Sequence, residues 1–188
     1  MRQQLKTVLS QRQKLQIIDL NKTPAAILLP LYEANGEYHI LFTRRTEKVE
    51  HHKGQISFPG GAYERSDGNL LNTALRESKE EIGLNPELVD ILGELDDTVT
   101  TSTGYIISPF VGWIPWPIIL TPDPSEVEEI IDVPVSILIN KNYQRQEIRS
   151  LNGKQIVMYF YHYKNRVIWG QTAKILHQFL DIFIQLEQ

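Results

Sequence analysis

Residues 54–84 read GQISFPGGAYERSDGNLLNTALRESKEEIGL. The stretch opens with a short apolar run, Gln55 to Phe58, that suits a strand. Pro59-Gly60-Gly61 then ends the run and lets the backbone come close to whatever lies opposite. From Asn69 to Ile82 the apolar positions Leu71, Ala74, Leu75 and Ile82 fall on one helical stripe, and Gly83 is the expected stop. Glu77, Glu80 and Glu81 share an arc of about 100° beside that stripe, at the edge of the core. Like charges at these spacings repel, and anions near a helix C-terminus oppose the dipole. Either the helix shows a solvated acidic face or a cation compensates for it. Carboxylates gathered near a backbone carbonyl suit hard cations such as Mg²⁺ or Mn²⁺, which bridge phosphates and activate water.

Working outward, Ala25 to Tyr32 reads as a buried strand. Asn35-Gly36 is a strong hairpin signal that returns into a strand at Tyr38 to Arg45. Downstream, Leu88 to Leu95 and Tyr105 to Trp113 are strand-like. Glu126 to Ile131 reads as a short helix and Val133 to Ile139 as a turn following it. Tyr143 to Ser150 and Gln155 to Tyr163 form a second hairpin through Asn152-Gly153, and Val167 to Trp169 is a last short strand. Gln171 to Leu186 is a long amphipathic helix. Leu5, Val8, Leu9, Leu15 and Ile18 suggest one N-terminal helix or two short ones over residues 1–20. About seven strands with interleaved helices read as α+β, a mixed sheet sandwiched by helices. The length of 188 residues suits one domain spanning 1–188, with 1–20 as a helical extension.

The formal net charge of −4 gives no general electrostatic case for nucleic acid or an anionic membrane. A phosphorylated ligand therefore needs local basic residues or metal ions. The absence of cysteine excludes disulfides, thiolate metal sites and a cysteine nucleophile. No signal or membrane-spanning segment is legible, so a cytoplasmic protein is expected.

From Gly61 to Gly83 the chain resembles the Nudix box: Gly, five residues, Glu, seven residues, Arg-Glu, an aliphatic, any residue, Glu-Glu, any residue, Gly. Arg76-Glu77-Ser78-Lys79-Glu80-Glu81-Ile82-Gly83 carries the match. Asp67 stands in place of the first Glu, one extra residue precedes Arg76, and Ser78 replaces the aliphatic. Leu41-Phe42-Thr43-Arg44-Arg45, followed by Gly54-Gln55-Ile56-Ser57-Phe58-Pro59-Gly60-Gly61, is similar to the extended motif of the coenzyme A pyrophosphatase branch. That branch shares the Asp and the insertion. Pro109 to Gly112, Glu126-Val127 with Val133-Pro134, and Ile168 to Ala173 are also similar to it. One departure is Glu50, where the branch carries Arg.

The resemblance implies a Nudix α/β/α sandwich and hydrolysis of the diphosphate of coenzyme A to 4'-phosphopantetheine and adenosine 3',5'-bisphosphate. Mg²⁺ or Mn²⁺ would be held by Glu77, Glu81, Glu80 and Gly61. Glu77, Glu80 and Arg76 would be catalytic, with Arg76 orienting a carboxylate, and the general base would be Glu77, Glu126 or Glu129. Arg45, Arg44, Gln55 and Ser57 are candidate substrate contacts. The partner is a small nucleotide of the coenzyme A type; a homodimer is left open. The alternatives are another nucleoside diphosphate, such as ADP-ribose or a nucleotide sugar, or a binding domain without catalysis. His51 and His52 are read as solvated or as a substrate loop. Asp67 is a turn residue or a support for the site. Thr98 to Thr103 is a polar loop or a site lining, and Trp169-Gly170 is a packing corner before the last helix. Trp113 and Trp116 are given no functional role.

Overall fold

The long apolar run TPAAILLPLYEA becomes the central strand of the fold. The computed structural model describes residues 1–46, 54–100, 103–151 and 153–187. In chain order the elements are helix α1 (Arg2–Gln11), strands β1 (Thr23–Ala34), β2 (Glu37–Arg45), β3 (Ile56–Ser57) and β4 (Gly60–Ala62), and helix α2 (Leu70–Ile82). Next come β5 (Asp90–Glu94), β6 (Thr98–Val99), β7 (Tyr105–Trp113), β8 (Val127–Pro134) and α3 (Val135–Ile139). Strands β9 (Gln144–Leu151), β10 (Lys154–Tyr163) and β11 (Arg166–Ile168) and helix α4 (Gly170–Glu187) complete the chain.

β1 runs antiparallel to β2 and parallel to β7, so the main sheet is mixed, as the hairpin signals require. Asn35 and Gly36 both take positive φ, 53° and 79°, as a two-residue turn matched to strand twist demands. Pairing extends the sheet through β2 to β3 and β8, and through β7 to β5 and β6, while β4 pairs β1. One face is covered by α1, α3 and α4, whose Leu5, Leu9, Leu138, Leu176 and Phe179 pack on Leu29, Phe42 and Val111. The other carries α2, with Ala74 and Ile82 against Ala26, Leu28 and Leu41. Helices on both faces of a mixed sheet give the expected α/β/α sandwich.

Several expectations change. Residues 127–134 are strand where 126–131 is expected as helix, and 135–139 are helix α3 where a turn is expected. Val127, Ile131 and Val133 alternate into the core as period-two β-branched residues, so β-ladder pairing with β2 overrides the helix-favouring glutamates. β9, β10 and β11 form a separate three-stranded sheet. The N-terminal helix stops at Gln11, leaving Leu15 and Ile18 exposed, because the next segment is held extended by polar contacts. Lys14 pairs with Glu94 and Asp97, Arg12 with Asp96, and the Leu15 and Ile17 N–H groups donate to Asp96 and Asp97. α1 is core rather than appendage: Leu5 and Leu9 are buried, and Leu9 sits where a Cβ on Gly93 would fall.

Candidate active site

α2 starts where the Asn69 side chain accepts the Asn72 N–H and stops at Gly83, whose φ of 70° suits glycine. The buried side of the helix is Thr73, Ala74, Ser78, Glu81 and Ile82. Ser78 occupies the position usually aliphatic in the box. Its hydroxyl donates to the Ala74 carbonyl at 2.6 Å, so a polar residue is satisfied inside the helix.

The three glutamates do not share one environment. Glu80 is largely exposed. Glu77 is mostly covered and lies over Gly61 so closely that a Cβ there would fall 2.4 Å from its Oε1. Glu81 is buried, at 2% exposure, beneath the β3–β4 turn. The Gly60 N–H donates to Glu81 Oε2 at 3.3 Å, and Arg45 Nη1 stands 3.5 Å from Oε1. These contacts do not offset the loss of water. Burial pushes the Glu81 carboxyl from 4.5 up to about 8, against the pull of Arg45 and with help from the charge of Glu77. Burial also raises Glu77, though Arg76 opposes it.

Arg76 organises the surroundings. Its Nε and Nη2 donate to the two oxygens of Asp67 at 2.7 and 3.2 Å. Nη1 donates to Glu77 and Glu80 at 2.9 and 2.8 Å, and Nη2 to the Ala62 carbonyl at 3.1 Å. Asp67 also accepts from Thr73 Oγ1 and the Glu64 N–H. The guanidinium holds Asp67 well below the usual carboxylate range. Asp67 is thus both a turn residue and the anchor of Arg76, which fixes Glu77. Its identity is legible only in a long motif, because it lies nine positions before its partner.

The other candidates divide. Arg45 reaches Glu81, and Ser57 pairs with Thr43 across β2–β3, with Oγ atoms 3.2 Å apart. The Gln55 carbonyl accepts from the Arg45 N–H. Arg44 is engaged with Glu128. Glu126 lies close enough for its charge to bear on both Glu77 and Glu81, whereas Glu129 is gripped by Arg166 at 2.6 and 2.8 Å. Thr98 binds Gln171 on α4, and Thr100 and Thr103 bond within their loop. Trp169 is 44% exposed, so it is not the buried packing corner expected before α4. Trp116 stacks on Tyr32, and Trp113 meets Tyr38 edge-on. Glu50, His51 and His52 lie outside the described residues.

A family model for the NUDIX domain matches residues 21–151. The chain belongs to the Nudix family. It is 37% identical over 158 residues to the Nudix hydrolase NudL of Photorhabdus laumondii, covering 84% of this chain and 83% of that one. It is 36% identical to the chloroplastic Nudix hydrolase 22 of Arabidopsis thaliana, over 81% of this chain and 52% of that one. Among solved structures, a MutT/nudix family protein from Enterococcus faecalis aligns with a TM-score of 0.58 at 12% identity, over 96% of this chain and 67% of that one. This Nudix chain is therefore a hydrolase of diphosphate-linked small nucleotides, a class that works with divalent cations. Among the described residues no helix is long and apolar enough to cross a membrane.

The donor set fits such a cation. Among the described residues no three acidic or histidine side chains stand at metal-ligand spacing. What converges is two carboxylates, Glu77 and Glu81, with the Gly60-Gly61 backbone between them. Mg²⁺ commonly takes one or two carboxylates and keeps waters for its other positions. A buried carboxylate short of positive charge is the feature a cation would relieve.

Proposed function

We propose that the chain hydrolyses the diphosphate of coenzyme A or its derivatives to 4'-phosphopantetheine and adenosine 3',5'-bisphosphate, with Mg²⁺ or Mn²⁺ held by Glu77, Glu81 and the Gly61 backbone. The observation that carries the catalytic part is the convergence of the covered Glu77 and the buried Glu81 on the Gly60-Gly61 backbone at the start of β4. The coenzyme A part rests on the upstream motif, Leu41 to Arg45 and Gly54 to Gly61. Two of its residues, Arg45 and Ser57, belong to strands bordering that backbone.

A divalent cation there would offset diphosphate charge and supply a water acidic enough to attack phosphorus. Arg76 holds Glu77 and Asp67 in place and is a positioning residue, and Glu80 helps hold Arg76. Arg45, close to Glu81 and only partly covered, would meet a substrate phosphate. Glu126 takes the role of general base because its charge reaches both ligands and it is exposed to solvent.

Incubation with coenzyme A and Mg²⁺ or Mn²⁺ should yield adenosine 3',5'-bisphosphate. No product with either metal at high enzyme concentration would reject the substrate assignment. Glu50, standing where the branch has Arg, motivates a second reading in which ADP-ribose or a nucleotide sugar is the substrate. A panel in which only those are hydrolysed would select it. Glu126→Gln should lower kcat at least roughly a hundredfold with little change in KM; an unchanged kcat would remove Glu126 from the mechanism. In Gly61→Ala the three atoms nearest the new methyl all belong to the flexible end of Glu77. That variant should therefore keep wild-type thermal stability and lose roughly tenfold or more in activity. Full activity would mean that Glu77 does not need its observed position.

A further inference from the structure

β9 lies at the edge of the small sheet, whose order is β11–β10–β9. α4 covers one end of this sheet: Tyr161 is buried, and Tyr159 stacks on His177 at 3.7 Å. Further along the same face that cover ends. Ile148 and Val157, directly opposite each other in the β9–β10 ladder, are 70% and 47% exposed. On the opposite face of β9 the residues Arg145, Glu147 and Arg149 alternate in sign. Glu147 accepts Arg149 through Nε and Nη2 at 2.9 and 2.7 Å and is also ion-paired with Arg145. Edge strands usually carry charge to repel other edges. Here the charge alternates, so the edge can match itself.

We propose that β9 pairs antiparallel with β9 of a second copy of this chain, about a twofold axis through Ile148. In that register Ile148 faces its symmetry mate, Glu147 lies opposite Arg149 twice over, and Val157 borders the apolar seam from both sides. An axis through Glu147 would instead oppose Glu147 to itself and Arg145 to Arg149. An axis through Gln146 would set Ile148 against Gln144 and leave its apolar surface unmatched. The contact is isologous, so each favourable pair counts twice.

The chain has no cysteine, which makes crosslinking a clean test. Directly opposed residues in an antiparallel pair have Cα atoms roughly 4.5–5.5 Å apart, within disulfide reach. Ile148→Cys should form a disulfide-linked dimer on mild oxidation. Gln146→Cys, whose symmetry mates would lie roughly 13 Å apart along the strands, should not. By analytical ultracentrifugation the full chain should sediment as a dimer. Glu147→Arg or Arg149→Glu alone should weaken it at least roughly tenfold, and the double swap should restore it. A monomeric wild type, crosslinking at 146 rather than 148, or a dimer indifferent to single reversal would each overturn the proposal. Circular dichroism of each variant separates lost pairing from lost folding.

Discussion

Glu81→Gln should abolish most hydrolysis and, in metal-free protein, remove a pH-dependent loss of stability. The two effects share one cause. Glu81 is a buried carboxylate and, among the described residues, its ion-pair partner Arg45 stands 3.5 Å away. As a proposed metal ligand, its replacement should cost at least roughly a hundredfold in activity, by comparison with the cost of altering groups that only support a ligand. For stability, the folded protein holds the proton up to about pH 8, whereas an unfolded carboxyl releases it near 4.5. The stabilisation from the protonated group is fully present below pH 4.5 and is lost as pH rises toward 8. At about 1.4 kcal/mol per pH unit the ceiling is roughly 5 kcal/mol. Glu77, also raised, adds in the same direction. Asp67, Asp90 and Asp96 are lowered and act in the opposite sense, in the acid range below the usual carboxylate values.

Thermal unfolding in chelator should therefore show wild type losing stability between pH 5 and 9, and Glu81→Gln losing much less. Adding Mg²⁺ should restore wild type at pH 8–9 and leave the variant unmoved, because a ligand that binds only the folded state stabilises it. Equal pH slopes in the two proteins would show that Glu81 does not titrate in this window. Equal response to Mg²⁺ would show that it does not hold the ion.

Gly60→Ala should be the most damaging single-methyl change in the turn. Gly60 has φ of 154°, and an added Cβ would stand 2.3 Å from the Ala26 carbonyl oxygen and 2.6 Å from Ile27 Cα. Both are backbone atoms of β1, so no side chain can move aside. The β1–β4 pairing, which sets Gly60 against Ile27 and Gly61 against Ala26, would have to part. Together with the unfavourable φ this should cost about 3 kcal/mol or more, read as a lower urea midpoint. A near-wild-type midpoint would mean that the turn relaxes without separating the strands. The neighbouring Gly61→Ala should behave oppositely, losing activity rather than stability, since the obstacle there is the end of a side chain.

Several features were decided by local chemistry and so were legible in the chain. Asn35-Gly36 turned where it should, because the hairpin turn needs two positive φ values that Asn and Gly accept. Gly83 ended α2 for a related reason. Tyr105 to Trp113 is a strand at its expected bounds, and the box from Gly61 to Gly83 identified the family. The glutamates of residues 126–131 favour helix locally, yet 127–134 form a strand. Pairing with β2 is a long-range effect that a window of neighbours does not contain. The three glutamates differ for a similar reason. Helical spacing puts Glu77, Glu80 and Glu81 on one arc, but burial depends on what the sheet presents opposite each.

The sequence by itself determined that carboxylates and a glycine turn belong together, since family motif and helix periodicity both lie along the chain. Only the tertiary structure decided that Glu81 is the buried one, that Glu80 turns outward to Arg76, and that Arg76 answers to Asp67. Desolvation and ion pairing depend on atoms brought together from β1, β2, β4 and α2. Those distances are created by folding and are not written in residue spacing.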